Sequence, residues 1–383
     1  MPWKATDVME CRIEFVLRAA RGEMSFSRLC REYGISRPTG YLWVGRYEEA
    51  GSVRALAERS RRPHRSPRRT SAEVEGAIVA LRDRYGWGAR KLQVLLREQG
   101  WRVPESTINR VLTRAGLRGS QEVQGQATRR FQRSRCNELA QLDFKGEYRV
   151  EGGWCYPLAL VDDCSRYLLG LWALPQRDTE CVQEALRAHF RQEGMPESLL
   201  LDHGTPWWSP SHGRGLTRLG VWLMSHGIEL LWSGFRHPQT QGKVERLHRT
   251  LKERTRHEGV PGTLAGWQQW APRFRQEYNQ RRPHEALGMQ TPAQAYRKEH
   301  LRAYREPPPA WDYGDADTRT LNPAGCLNWA GRQWFVCEAL AGQRVRVDEL
   351  DGLLLITYRR TCLRELNLRT CTTTSVLLPG PEL

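Results

Sequence analysis

Three acidic residues occur in segments that can build a site for divalent metal ions. They are Asp143 in QLDFKG, Asp202 in LLLDHGTP and Glu245 in HPQTQGKVERLHRTLK. A hard cation such as Mg²⁺ takes one or two carboxylates and fills its other positions with water and phosphate oxygens. Two such ions can hold the attacking and leaving oxygens of an in-line displacement at phosphorus. If the three carboxylates meet, they predict chemistry on phosphodiesters.

The local patterns indicate elements that can bring these carboxylates together. Around Asp143, apolar and polar residues alternate as in a strand, which places Asp143 on the face away from the apolar side chains. An apolar run over 199–201 precedes Asp202, so we expect Asp202 at the carboxyl end of a buried strand, where open α/β sheets hold their sites. A helix predicted from near Thr240 buries one apolar stripe and carries Glu245 on a neighbouring stripe.

Each carboxylate also has a simpler interpretation. A lone aspartate at a strand end is often a cap or turn residue. Glu245 can form a surface ion pair with Arg249, four residues later on the same helix. Spacing alone does not exclude four rival carboxylates on the next predicted strand and on the helix, namely Asp162, Asp163, Glu253 and Glu258.

The segments QLDFKG, LVDDCSRY, LLLDHGTP and HPQTQGKVERLHRTLKE together resemble the catalytic core of bacterial insertion-sequence transposases related to retroviral integrases. The resemblance runs from about residue 138 to 296. It implies a ribonuclease-H-like α/β core in which Asp143, Asp202 and Glu245 are catalytic and hold two Mg²⁺ ions, for which Mn²⁺ can substitute. Two features depart from the family's pattern. His203 stands where asparagine is common, and 43 residues (245 − 202) separate the last two carboxylates, more than in many relatives.

Composition agrees with a partner that is a polyanion. The chain has 59 basic and 43 acidic residues and a formal net charge of +16. Such a surface attracts nucleic acid. No apolar stretch approaches the length of a membrane span, and the amino terminus lacks a signal-peptide core. The ten cysteines include no Cys-x-x-Cys pair, which argues against structural zinc and fits a reducing cytoplasm. We therefore expect a cytoplasmic, nucleoid-associated protein without a membrane partner.

The amino-terminal region over 1–53 predicts a helix-turn-helix DNA-binding domain. In SFSRLCREYGISRPTGYLWVGRYEEAG, Gly34 makes the turn and Ser36 caps the second helix. A plain helical hairpin is the alternative, but the turn and the basic helix occur together. That helix would present four residues to a DNA groove: Arg37, Thr39, Tyr41 and Arg46. Helical apolar spacing over 71–118 predicts a second helix-turn-helix domain.

Basic segments flank the second of these domains, over 54–70 and 119–136. The first is too rich in arginine to build a core, so it is a linker, an arm on DNA, or both. Its candidate DNA contacts are Arg61, Arg62, Arg65, Arg68 and Arg69. On the helix of Glu245, the predicted phosphate contacts are Lys243, Arg249 and Lys252.

The sequence after residue 136 predicts four further segments. They are the ribonuclease-H-like catalytic core over 137–260, a helical extension over 261–305, a proline-rich linker over 306–320 and a small all-β domain over 321–376. We expect the chain to stay helical from Glu245 to about residue 299. The final strands, with a hairpin turn at Ala330 and Gly331, fit an SH3-like barrel similar to the carboxy-terminal domain of integrases. Arg344 and Arg346 would share one face and contact DNA there, although alternating arginines on a strand are often only solvated.

The sequence therefore predicts a multidomain DNA transposase. Its helix-turn-helix domains would bind terminal inverted repeats in double-stranded DNA, and its core would cleave and transfer strands. A homo-oligomer on paired ends is expected, because two ends must be joined. Two alternatives stay open: a non-catalytic DNA-binding regulator or decayed transposase, and a ribonuclease-H-like nuclease without strand transfer. The sequence leaves open whether an accessory ATPase or host factors take part.

Overall fold

A computed structural model of the chain describes residues 7–58, 69–117, 132–209, 215–232 and 242–376. The chain divides into two compact units, residues 1–69 and 70–383, and each is described by itself. Four of the predicted DNA contacts, Arg61, Arg62, Arg65 and Arg68, lie outside the described residues. The predicted helix start near Thr240 lies outside them too.

The first unit is a helical domain of α1 (Val8–Arg21), α2 (Phe26–Glu32) and α3 (Arg37–Ala50). Gly34 makes the turn before α3 with a φ of +64°, and the hydroxyl of Ser36 accepts a hydrogen bond from the N–H of Thr39 at 3.3 Å. A Cβ at Gly40 would lie 2.8 Å from Sγ of Cys30, so α3 packs closely on α2. The predicted helix-turn-helix is confirmed.

The second unit begins with another helical domain, formed by α4 (Ala72–Tyr85), α5 (Ala89–Glu98) and α6 (Glu105–Arg114). Its core is a set of fully buried apolar side chains that recur at helical spacing: Ile78, Leu92, Leu96 and Ile108. This is the second helical domain that the apolar spacing predicts.

A mixed sheet follows, with helices between its later strands. Its strands are β1 (Leu139–Phe144), β2 (Tyr148–Val150), β3 (Gly153–Asp162), β4 (Leu168–Leu174), β5 (Ser198–Leu201) and β6 (Glu229–Trp232). The helices are α7 (Thr179–Glu193) and α8 (Arg218–Ser225). The order is β4-β3-β1-β5-β6, with β2 also paired to β3. β1 is antiparallel to β3 and parallel to β5, so β1 is central.

Helices cover both faces of this sheet. Side chains of α7 and α8 pack on one face. On the other face lie α9 (Gly242–Glu258) and α10 (Leu264–Gln280). Gln141 lies on the same face of β1 as Asp143 and is fully buried there, because α9 covers that face.

The helix of Glu245 is shorter than predicted. It ends at Glu258, and the chain resumes as α10 at Leu264. Gly259, with a φ of +93°, and Pro261 end it, since neither residue continues a helix readily. After α10 the described residues hold one further α-helix, the short α11 (Pro292–Ala295), and two short 3₁₀ helices, Glu285–Leu287 and Glu338–Leu340. Within the described ranges, no helix has the length and apolar character needed to cross a bilayer.

One buried amide fastens α10 to the sheet, and it gives a stability prediction. Oδ1 of Asn279 accepts from the N–H of Leu168 at 2.8 Å, and Nδ2 donates to the carbonyl of Leu168 at 3.0 Å. Asn279→Ala should lower the free energy of unfolding by about 2 to 3 kcal/mol, because it strands two buried backbone groups. Urea unfolding measures this. Gln280→Ala, at an exposed neighbouring position, should change stability by less than about 0.5 kcal/mol, and equal effects would contradict the assignment.

The carboxy-terminal region is an antiparallel β domain. Its strands are β7 (Thr318–Thr320), β8 (Cys326–Trp329), β9 (Arg332–Phe335), β10 (Arg344–Leu350), β11 (Leu353–Tyr358), β12 (Thr361–Asn367) and β13 (Thr372–Ser375). Five of them form a sheet of order β13-β12-β11-β10-β7, and β8 and β9 form a separate hairpin. The hairpin turns at Ala330 and Gly331, both at positive φ, as predicted. Closure into an SH3-like barrel stays a prediction.

Candidate active site

Asp143 and Asp202 lie at the same edge of the sheet. β1 and β5 are parallel and pair Gln141 with Leu200. Continuing this register by two residues brings Asp143 opposite Asp202, and neighbouring strands are about 4.8 Å apart. The backbone N–H of Gly204 donates to Oδ1 of Asp202 at 3.0 Å and orients that carboxylate. The predicted position of Asp202 at the carboxyl end of a buried strand therefore agrees with the structure, and Asp143 lies beside it at the same edge.

Glu245 lies in the first turn of α9, and its charge reaches this edge. The pKa of Asp143 is raised to about 7, first by burial, then by the negative charge of Asp202 and also by that of Glu245. Burial also raises the pKa of Glu245. Because both other carboxylates act on Asp143, the three predicted residues are brought into one electrostatic neighbourhood.

The donor set fits a hard divalent cation. All three groups offer carboxylate oxygens, and their mutual repulsion is relieved by a bound positive charge. The three side chains are not in a metal-binding arrangement: within the described ranges, no three acidic, histidine or cysteine side chains are close enough together to hold a metal ion. The assignment of Asp143, Asp202 and Glu245 as metal ligands and catalytic residues therefore stays a prediction.

His248 is buried beside Asp143. Its Nδ1 lies 3.5 Å from Oδ2 of Asp143. Burial, followed by the charge of Lys145, lowers the pKa of His248 to about 3. The imidazole is thus neutral near pH 7, so the contact is not an ion pair. The helix stripe that His248 shares with Glu245 suggests a phosphate contact, but a buried neutral ring offers no charge to a phosphate.

Two lysines bring positive charge to the same edge. The pKa of Lys145 is lowered by burial and then by Lys252, and the charge of Asp143 opposes that shift. Two ammonium groups therefore influence each other beside the carboxylates, an arrangement suited to a phosphate. Lys252 is among the predicted phosphate contacts and Lys145 is not, although the position of Lys145 two residues after Asp143 in an alternating pattern is a usable signal. Arg249 lies nearby on α9 and pairs with Glu253 at 4.0 Å.

Lys243 is placed differently from the prediction, and the two rival aspartates explain its position. We predicted Lys243 as a phosphate contact, but its ammonium contacts the carboxylate of Asp163 and its side chain is only 12% exposed. A buried carboxylate attracts the nearest cation strongly, which explains this position. Asp162 is fully buried and accepts hydrogen bonds from the N–H groups of Asn137 and Ser165, both at 2.7 Å. Neither aspartate is free to serve as a ligand at the sheet edge.

Of the four residues of α3 that are predicted to face a DNA groove, two are exposed, and the other two, Thr39 and Arg46, are half-buried. Arg37 and Tyr41 are exposed, and Tyr41 stacks on Phe26 with ring centroids 4.2 Å apart. The hydroxyl of Thr39 lies 2.9 Å from that of Ser36 in the helix cap. The guanidinium of Arg46 lies 4.7 Å from the ring centroid of Trp43. Arg37 is therefore the strongest candidate for a direct DNA contact in this domain. In the predicted basic arm, Arg69 is exposed.

In the carboxy-terminal sheet, Arg344 and Arg346 are exposed on one face of β10, and Val345 and Val347 are buried on the other. Nε of Arg344 donates to the hydroxyl of Thr318 at 2.8 Å. Arg346 forms an ion pair with Asp348 at 2.7 Å, which offsets its charge. The shared face matches the sequence pattern, and the role in DNA contact stays a prediction.

Family models match four parts of the chain. Two models described as integrase core domain match residues 133–238 and 226–292. A helix-turn-helix domain matches residues 12–64, and a homeodomain-like domain matches residues 39–112. The integrase core matches contain all three carboxylates.

Two relatives of the chain are described as a transposase and as an insertion-element protein. The chain is 26% identical over 284 residues to "Putative transposase y4bF" of Sinorhizobium fredii, a match that covers 70% of this chain and 61% of the relative. It is 25% identical to "Insertion element IS407 uncharacterized 31.7 kDa protein" of Burkholderia multivorans, covering 57% of this chain and 81% of the relative. A chain of the simian T-cell lymphotropic virus intasome aligns at 16% identity over 74% of this chain and 99% of its own, with a TM-score of 0.37 that supports no conclusion. The chain therefore carries integrase-core and helix-turn-helix domain matches, and the relatives that it resembles include a putative transposase and an insertion-element protein.

Proposed function

We propose that this protein is a transposase that binds the terminal inverted repeats of an insertion sequence and catalyses metal-dependent DNA cleavage and strand transfer. One observation carries the proposal: the register of the parallel strands β1 and β5 brings Asp143 opposite Asp202 at one edge of a mixed sheet, with Glu245 in the first turn of the helix that covers it. The integrase-core and helix-turn-helix matches support it.

The proposed reaction has two displacements. Hydrolysis of a phosphodiester at each element end frees a 3′-hydroxyl, which then attacks a phosphodiester of the target DNA. Asp143, Asp202 and Glu245 would hold two Mg²⁺ ions, or Mn²⁺ in their place, and these supply charge stabilisation at phosphorus when bound. Asp143 must be deprotonated to act as a ligand, and the N–H of Gly204 keeps Asp202 oriented.

Basic groups around the carboxylates would hold the DNA strand. Lys145 and Lys252 bind phosphate oxygens beside the scissile bond in this proposal, and Arg249 binds farther along the backbone. Double-stranded element ends and target DNA are the partners, in keeping with the net charge of +16. Two copies or more would pair the ends, and the carboxy-terminal sheet would act as an SH3-like barrel that contacts DNA through Arg344 and Arg346. Activity on DNA would put the protein in the cytoplasm with the nucleoid.

End recognition is tested at Arg37. Arg37→Ala should lower the affinity for an element-end duplex on the order of tenfold, because it removes an exposed cation from the predicted recognition helix. Fluorescence anisotropy at several salt concentrations measures the affinity and its salt dependence. Arg21→Ala removes an exposed arginine from α1 instead and should bind like the wild type. Equal weakening by both variants would show that only the total charge matters.

The proposed reaction is tested on linear DNA that carries both element ends. Breaks that map to the ends with Mg²⁺, and that vanish with EDTA, would support the cleavage step. Binding at the ends without breakage in Mg²⁺ or Mn²⁺ would favour a DNA-binding regulator. Breakage without any joined product would favour a nuclease.

A further inference from the structure

A buried ion pair lies behind the candidate site, between the sheet and the first turn of α9. Asp163 directly follows β3 and is 0% exposed. Its Oδ1 accepts hydrogen bonds from Nε2 of Gln141 at 2.9 Å and from the ammonium of Lys243. Its Oδ2 accepts a third from the backbone N–H of Arg133 at 2.8 Å. The carboxylate is thus held from three sides.

Gln141 extends the pair into a network that reaches both candidate catalytic elements. It lies in β1, two residues before Asp143, and its Oε1 accepts a hydrogen bond from the N–H of Val244 at 3.2 Å. First-turn N–H groups of a helix have no partner within that helix, so Gln141 supplies one. Val244 and Lys243 immediately precede Glu245 in α9. The network therefore joins the strand of Asp143 to the helix turn of Glu245.

Stability alone does not explain why charges are buried here. Moving a carboxylate and an ammonium out of water is costly, and an apolar pair of similar volume is often at least as stable. The guanidinium of Arg166 donates a hydrogen bond to the backbone carbonyl of Asp163. A second cation therefore already lies next to this aspartate. What charged hydrogen bonds add over apolar contacts is direction, because each fixes the relative position of the atoms it joins.

We propose that the Gln141–Asp163–Lys243 network is a positioning device that fixes the first turn of α9 against β1 and so sets the spacing of Glu245 from Asp143. It rests on the proposed function, because that spacing matters only if the carboxylates share metal ions. Gln141, Asp163 and Lys243 are positioning residues and do not contact the DNA or the metal.

The test is the double variant Asp163→Leu with Lys243→Met, which removes both charges and leaves no lone buried ion. Mn²⁺ affinity is measured by electron paramagnetic resonance, and cleavage of an element-end duplex gives kcat and KM. We expect Mn²⁺ affinity to fall about tenfold and kcat to fall by up to about 100-fold. KM for DNA should stay close to wild type, whereas the thermal unfolding temperature should fall, because leucine leaves Nε2 of Gln141 and the N–H of Arg133 without their acceptor.

The control is Arg254→Met with Glu277→Leu, which removes another ion pair of α9, at 2.8 Å, farther along the helix from Glu245. It should leave Mn²⁺ affinity unchanged. A folded test variant with wild-type Mn²⁺ affinity and kcat would overturn the inference. If that variant does not fold, Gln141→Met cuts the link to Val244 without a charge change, and unchanged Mn²⁺ affinity would again overturn it.

These outcomes separate the inference from the proposed function. A wild-type protein that binds Mn²⁺ no better than Asp202→Asn would refute the metal site and the inference with it. A wild-type protein that binds Mn²⁺ and cleaves DNA, while the double variant does both equally well, would refute the positioning role alone.

Discussion

Replacing Asp202 with asparagine is expected to abolish strand cleavage and strand transfer while leaving the affinity for element ends within about threefold of wild type. Asparagine keeps the size of the side chain, and its amide oxygen can still accept the hydrogen bond from Gly204. What is lost is the negative charge that would hold a divalent ion. Cleavage of an end-labelled duplex should fall by at least about 1,000-fold, the scale of several kcal/mol that a metal supplies.

Glu229→Gln is the matched control for Asp202→Asn. Glu229 is an exposed carboxylate at the start of β6, paired with Ser198 at the opposite end of the same sheet. Its removal changes the net charge equally but leaves the carboxyl edge intact, so cleavage should persist. If Asp202→Asn lost end binding together with cleavage, the aspartate would be structural and the site assignment would fail.

Replacing Asp143 with asparagine is expected to stabilise the metal-free protein while removing its activity. The pKa of Asp143 is about 7 in the folded protein, against an ordinary value of 3.8. Between these values the folded protein binds more protons than the unfolded chain, so stability falls as the pH rises. A neutral asparagine at this position would not carry that penalty. In EDTA at pH 8, the Asp143→Asn protein should be more stable than wild type by up to about 4 kcal/mol, the free-energy equivalent of that pKa difference.

The gain in stability from Asp143→Asn should appear as the Asp143 carboxyl of the wild type loses its proton. The stability difference between Asp143→Asn and wild type should be absent near pH 4, grow between pH 4 and pH 7, and be complete above pH 7. Denaturant unfolding of both proteins across this range measures it. Asp162→Asn is the comparison, because Asp162 is more deeply buried than Asp143, at 0% exposure, but accepts three hydrogen bonds, including one from the hydroxyl of Ser165 at 2.6 Å. That change should destabilise the protein, and stabilisation by both would show a general effect of buried charge.

Local sequence patterns predicted the positions of the carboxylates but not the network behind them. The apolar run before Asp202 indicated a buried strand end, and Gly34 with Ser36 indicated the turn of the first helical domain. Such signals lie within a few residues of the feature they specify. The partner of Lys243 is Asp163, 80 residues away, so no local pattern could reveal it. The burial of Gln141 could not be predicted for the same reason, because the covering helix α9 comes from a distant part of the chain.

The most direct measurement uses a supercoiled plasmid that carries this gene with both native flanks. The protein is added with Mg²⁺ or with EDTA, and strand breaks and joined products are mapped by sequencing. We expect Mg²⁺-dependent joining of the element's ends to target DNA by the wild type and none by the Asp143→Asn, Asp202→Asn or Glu245→Gln proteins. Joined product from any of these three variants at the wild-type level would contradict the assignment of the site.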